Sequence, residues 1–225
     1  ALNHLETTPF VSGGNLTFVS DGIISGDAHY TSGGNISFLN LLGSAGEFYS
    51  YYDPIISANG DVTFGNYTGA SLKVEATGSI TAGNIVINET DYYLSEFCYS
   101  STACTSDAQI LANNYALILK AGVTTLEETA FSDSNIFAQI TPTSTASFGD
   151  IPQTTFSTSG NITTPSVVTV GNIDVGKVDG EGTNYYGGIV TITATGDITT
   201  GDINTSSDYS YRESNNQDVT ITSTG

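Results

Sequence analysis

Leu72-Lys-Val74-Glu-Ala76-Thr-Gly78-Ser-Ile80-Thr-Ala-Gly83-Asn-Ile85 aligns without a gap on Val190-Thr-Ile192-Thr-Ala194-Thr-Gly196-Asp-Ile198-Thr-Thr-Gly201-Asp-Ile203. A third, partial copy, Val219-Thr-Ile221-Thr-Ser223-Thr-Gly225, begins 29 residues after the second. Within each copy apolar residues alternate with Thr or a charged residue, and a period of two specifies a strand with one buried face. A Gly followed by Asn or Asp then marks a corner, and a second short strand follows.

Working outward, the Gly-Asn/Asp-apolar step recurs along the chain. It stands at Gly14-Asn15, Gly34-Asn35, Gly60-Asp61, Gly83-Asn84, Gly160-Asn161, Gly171-Asn172, Gly196-Asp197 and Gly201-Asp202. Repeats every 20 to 30 residues are the mark of a solenoid, and strand–corner–short strand–corner is one rung of a parallel β-helix. A single rung buries only its inward Val/Ile/Leu row and cannot fold alone, so stability comes from stacking. The corner glycines are expected to supply a positive φ. No extended stretch shows a helical apolar period; Ala108 to Leu119 comes nearest, but Asn113-Asn114 interrupts it.

The fold expected is therefore all-β, one solenoid domain over residues 1–225, with excursions near 88–107 and 125–158. The remainder has room for about eight rungs, a rod on the order of 40 Å long at the β spacing. The repeat runs on to Gly225, so the chain reads as a fragment or processed piece of a longer protein.

Composition narrows the partners. The 225 residues hold 4 Lys+Arg against 23 Asp+Glu, a net charge of -19, and 59 are Ser or Thr. Nucleic acids and anionic membranes need clustered bases and are excluded on this count. Polyanionic glycans are disfavoured for the same reason. No apolar run approaches the roughly 20 residues that span a bilayer. The 23 Tyr and Phe residues argue against a disordered chain.

Catalytic signatures are sparse. Glycoside hydrolysis needs converging carboxylates, whereas many here sit in corners, as Asp61, Asp197 and Asp202 do. Glu127-Glu128 reads as a solvated loop. A lyase needs a cationic group, and Lys73, Lys120, Lys177 and Arg212 are all the bases there are, no two close in sequence. The chain is expected to be no enzyme, a glycan-active β-helix being the lesser alternative. No catalytic residue or cofactor is assigned. Calcium is the ion that Asp and Asn at successive corners would suit, although the Gly-Gly-x-Gly-x-Asp nonapeptide is missing and no metal ligand is specified.

Cys98 and Cys104 flank a short loop, and the extracellular character of the composition predicts a local disulfide rather than two free thiols. Tyr49, Tyr51, Tyr52, Tyr92, Tyr93, Tyr185 and Tyr186 form aromatic groups that suit a carbohydrate or protein partner, or that divide between core and surface. Asn15, Asn35, Asn66, Asn88, Asn161 and Asn204 open Asn-x-Ser/Thr sequons. The Thr-x-Thr-x-Thr runs at 191–195 and 220–224 invite an ice-binding reading, but such a surface needs many rungs and the pattern covers only two or three.

The segments Gly160-Asn-Ile-Thr-Thr164, Val170-Gly-Asn-Ile-Asp174 and Ala194-Thr-Gly-Asp-Ile-Thr-Thr-Gly-Asp-Ile-Asn-Thr-Ser-Ser207 resemble the filamentous-haemagglutinin family. They are most similar to its large two-partner-secretion exoproteins of cyanobacterial type, as are Asp53-Pro-Ile-Ile-Ser-Ala-Asn-Gly-Asp-Val62 and Ala116-Leu-Ile-Leu-Lys-Ala-Gly-Val123. The resemblance implies a right-handed coil, export through an outer-membrane pore, and structural or adhesive work at the cell surface. The Asn-Pro-Asn motifs of that family's secretion domain do not occur here, so the likeness is to the downstream shaft. It carries over no catalytic residue. Two roles follow: an adhesin shaft presenting its loops to a cell-surface or extracellular partner, or an extracellular filament subunit that self-associates end to end through open strand edges.

Overall fold

The computed structural model describes residues 10–26, 29–52, 54–89, 107, 110–111, 114–126, 165–178, 185–205 and 218–224. Every strand in it belongs to a three-sided parallel coil. The first rung is β1 (Phe10–Ser12), β2 (Leu16–Ser20) and β3 (Ile24–Ser25), and the second is β4 (Tyr30–Ser32), β5 (Ile36–Asn40) and β6 (Phe48–Ser50). The third is β7 (Ile55–Ala58), β8 (Val62–Thr63) and β9 (Tyr67–Gly69). The fourth is β10 (Leu72–Ala76), β11 (Ile80–Thr81) and β12 (Ile85–Ile87). The fifth is β13 (Tyr115–Ala121), β14 (Val168–Thr169) and β15 (Ile173–Val178); the sixth is β16 (Tyr185–Ala194), β17 (Ile198–Thr199) and β18 (Ile203–Asn204). Strand β19 (Asp218–Ser223) opens a seventh.

Each strand pairs with its counterpart one rung away. Sheet A runs β1-β4-β7-β10-β13-β16-β19, sheet B runs β2-β5-β8-β11-β14-β17, and sheet C runs β3-β6-β9-β12-β15-β18. A short antiparallel hairpin, Gly176↔Gly187 to Val178↔Tyr185, joins sheets A and C. The protein is a parallel β-helix with three strands per rung rather than the two-strand unit expected, and the described residues make six complete rungs. The gaps between described strands fall at 88–114 and 122–167, and the expected excursions near 88–107 and 125–158 lie almost wholly outside the described residues. Of the first gap, the backbone at Asp107, Ile110 and Leu111 is helical.

The repeat quoted above has a direct structural meaning. Leu72, Leu117 and Val190 share one column of sheet A, as do Val74, Leu119 and Ile192. Ile80, Val168 and Ile198 share a column of sheet B. The partial third copy is β19, with Val219 beside Val190 and Ile221 beside Ile192. Apart from Val219 and Ile221, which are exposed, these inward columns belong to one continuous core, in which each fully buried residue of this size contributes about 1.5–3 kcal/mol. The first three rungs fill it with adjoining rings: Phe18–Phe38 and Phe38–Phe48 stack with centroids 5.2 and 4.5 Å apart, and Phe48–Tyr67 meet tilted at 5.3 Å. The later rungs use Val, Ile and Leu.

The Gly-Asn/Asp steps separate into two stacks at two different corners. At the corner from sheet A to sheet B, the Asn15 side-chain oxygen accepts the Asn35 N–H at 2.9 Å. Asn35 accepts from Asp61 at 2.9 Å, and Asp61 from Ser79 at 2.8 Å. At the corner from sheet B to sheet C, Asn66 accepts from Asn84, Asn84 from Asn172, and Asn172 from Asp202, at 2.9 to 3.0 Å. The expected positive φ is not the reason for glycine here. Among the described residues φ is positive at Gly43, Gly69, Gly122 and Gly176, none of them in such a step. A Cβ on Gly34 would overlap the Asn15 side-chain oxygen, and one on Gly60 would overlap that of Asn35. Glycine is needed because the preceding rung's side chain occupies the space where Cβ would stand.

Candidate functional site

Pleating alone should turn Ile55, Ser57, Lys73, Glu75, Ile118 and Lys120 toward solvent, since they alternate with the inward columns of sheet A. All but Lys120 are almost sealed: Lys73 and Glu75 have no exposed surface, and Ser57, Ile118 and Ile55 are 1%, 1% and 4% exposed. The segment that leaves the coil after β12 accounts for part of this. Its Leu111 and Ile110 pack with Ile55, Ala116, Ile118 and Ile189 in a second apolar cluster outside the coil. Asn114 anchors the return: its carbonyl accepts the Ser71 hydroxyl at 2.7 Å, and that hydroxyl accepts the Ala116 N–H at 3.0 Å.

Asp107, from the same segment, brings a carboxylate to the two lysines of the covered face. Its Oδ2 lies 2.9 Å from Lys73 Nζ and 2.5 Å from Lys120 Nζ, and Lys73 Nζ lies 3.8 Å from Glu75 Oε1. Glu75 and Lys120 are register partners on adjacent strands. Half of the chain's four bases meet here, balanced by two acids. Removing such groups from water costs several kcal/mol per ion unless partners recover it. Burial pushes the Asp107 carboxyl up, but hydrogen bonds from Lys120 and Lys73, with their charges, outweigh it and hold the pKa below the ordinary 3.8. Stability from the ionised carboxylate is therefore complete above 3.8 and is lost as pH falls through the lower folded value.

The sequence reading found no two bases close together, and in the chain they are not. The coil brings Lys73 and Lys120 to neighbouring strands although 46 residues lie between them. One signal existed: aligning Leu72-Lys-Val-Glu-Ala76 with Leu117-Ile-Leu-Lys-Ala121 sets Glu75 against Lys120. Nothing in the sequence placed Asp107 there.

The tyrosines fall differently. Tyr49 and Tyr51 meet edge to face on the outside of sheet C, with centroids 4.7 Å apart and planes at 84°. Tyr51 is 61% exposed; Tyr49 and Tyr52 are half-buried. Burial, a hydrogen bond with Tyr51 and the nearby Glu89 charge push the Tyr49 phenol well above its ordinary 10.0. Asn66 donates to Glu47 Oε1 at 3.5 Å on this side. Tyr185 and Tyr186 lie in the β15–β16 hairpin. Tyr92, Tyr93, Cys98, Cys104, Glu127, Glu128, Asn161 and Arg212 lie outside the described residues.

The corner stacks are mostly amides, whose oxygens are engaged by backbone N–H groups. Among the described residues no group of three or more His, Cys, Asp or Glu converges as a metal site. No helix among them is long and apolar enough to cross a membrane. Sheet B carries a feature the sequence reading missed: Thr17, Ser37, Thr63, Thr81, Thr169 and Thr199 stand in one column through all six rungs. The residues two places on are Val19, Leu39, Gly65, Gly83, Gly171 and Gly201, so the array is one hydroxyl wide.

Fold and geometry define the class, a parallel β-helix with an outer segment packed on one sheet. No protein-family model matches this chain, and no curated protein or solved structure matches it. The likeness to filamentous haemagglutinins therefore rests on the short motifs quoted above.

Proposed function

We propose that the chain is a non-catalytic structural and adhesive module of a secreted surface protein, a shaft of filamentous-haemagglutinin type that offers a tyrosine platform to a neutral glycan. The Tyr49–Tyr51 pair carries this reading. An exposed ring held edge-on by a neighbour on a sheet face gives a sugar an apolar surface with phenol groups at its margin. The net charge of -19 turns the reading away from acidic glycans. Stacked rungs make the support stiff, because every strand is hydrogen-bonded along the axis.

The test is binding of the purified chain to panels of neutral and acidic oligosaccharides, repeated with Tyr51→Ala. Neutral glycans are expected to bind and acidic ones not. Losing the exposed ring should weaken binding about tenfold, which corresponds to about 1.4 kcal/mol, with the circular dichroism unchanged. Absence of binding to any neutral glycan, or equal binding by the variant, would sink the reading.

A further inference from the structure

Lys73, Asp107 and Glu75 form an arrangement that does more than pair charges. An amine and a carboxyl are held 2.9 Å apart on separate segments, beside a second carboxyl 3.8 Å from the amine. Lys73 and Glu75 have no exposed surface, and the Asp107 side chain is 10% exposed. We propose that Lys73 Nζ and Asp107 Cγ condense to an intramolecular amide, covalently fastening the outer segment to sheet A, with Glu75 as the proton carrier.

The atoms balance without a co-reactant. The Lys73 ammonium passes a proton through Glu75 to an Asp107 oxygen, and the freed lone pair attacks Cγ of the carboxyl so neutralised. The new C–N bond forms, one Asp107 C–O bond breaks, and the departing oxygen leaves as water. Both of its protons come from the Lys73 nitrogen by way of Glu75, which ends as it began. Three features of the site favour the step. Desolvation makes a buried amine easier to deprotonate, which supplies the nucleophile. Exclusion of water opposes the reverse hydrolysis. Condensation also removes one cation and one anion from a low-dielectric site, leaving Glu75 and Lys120 as register partners with their charges matched.

Lys73 is chosen over Lys120 because Lys120 Nζ, although nearer at 2.5 Å, belongs to a side chain 17% exposed. Lys73 is sealed from solvent and has a carboxylate beside it on its own strand to take up its proton.

The experiment is the intact mass of the folded full chain measured under denaturing conditions, followed by peptide mapping. Expected are a mass one water below that of the sequence and a branched peptide joining Lys73 to Asp107. Asp21-Gly22 and Asp179-Gly180 can lose water as cyclic imides, so the branched peptide decides the matter. Chain kept in urea from synthesis onward should hold its full mass. Glu75→Gln and Lys73→Arg should also hold it, and circular dichroism shows whether each has folded. Full mass in the folded wild type overturns the proposal whatever the variants do. A branch at Lys120, or a branch that persists in folded Lys73→Arg, overturns the assignment.

Discussion

The outer face of sheet A changes character along the solenoid, though strand pairing does not. Over β7, β10 and β13 the outward residues Ile55, Ser57, Lys73, Glu75 and Ile118 are at 4% exposure or less, and Lys120 is half-buried. One rung further the same columns hold Thr191 and Thr193, which are half-buried. The pleat is identical in both stretches, so the difference comes from what lies on top. Alternation decides which residues point away from the coil; it does not decide which of them reach water.

Breaking the ionic contact should have the largest effect. Asp107→Ala takes away the carboxylate nearest the buried Lys73, and removing one partner of a buried pair costs about 3–5 kcal/mol. Urea unfolding would measure that loss.

Next in size is a pair of truncations in a single column. Ile118→Ala empties the outer apolar cluster and should cost about 2–5 kcal/mol. Thr191→Ala, its half-buried neighbour one rung on, should fall within about 0.5 kcal/mol of wild type. Equal losses from the two would mean that the cover contributes nothing.

The smallest effect separates sheet C from the covered face. Tyr49 should keep its proton well above pH 10.0 in an ultraviolet titration of phenolate, because burial, the Tyr51 hydrogen bond and the Glu89 charge all favour the neutral form. Tyr51→Phe should bring that titration back down, since burial and Glu89 remain but the hydrogen bond is gone. No change on that substitution would remove the hydrogen bond as a cause.

Much of the fold was legible in the residues. The gapless match of 72–85 on 190–203 and the partial copy at 219–225 fell into shared columns because each inward position must present an apolar side chain of similar size to the rung below. The Gly-Asn steps marked corners correctly, but their mechanism was misread. Glycine and asparagine cooperate across rungs, and a contact between residues 20 or 26 positions apart has no local signature. The three-strand rung was hidden for a similar reason: two-residue strands such as β8 and β11 are too short to show a period.

The sequence by itself determined the coil, since alternation, corner chemistry and repeat length are local properties that stacking only has to satisfy. The tertiary structure alone decided that Asp107 descends on Lys73 and Lys120, and that six hydroxyls align on sheet B. Those arrangements depend on where excursions of irregular length return to the coil and on register between distant strands. A buried charge acquires its partner through the whole path of the chain, and no periodicity in the residues records that path.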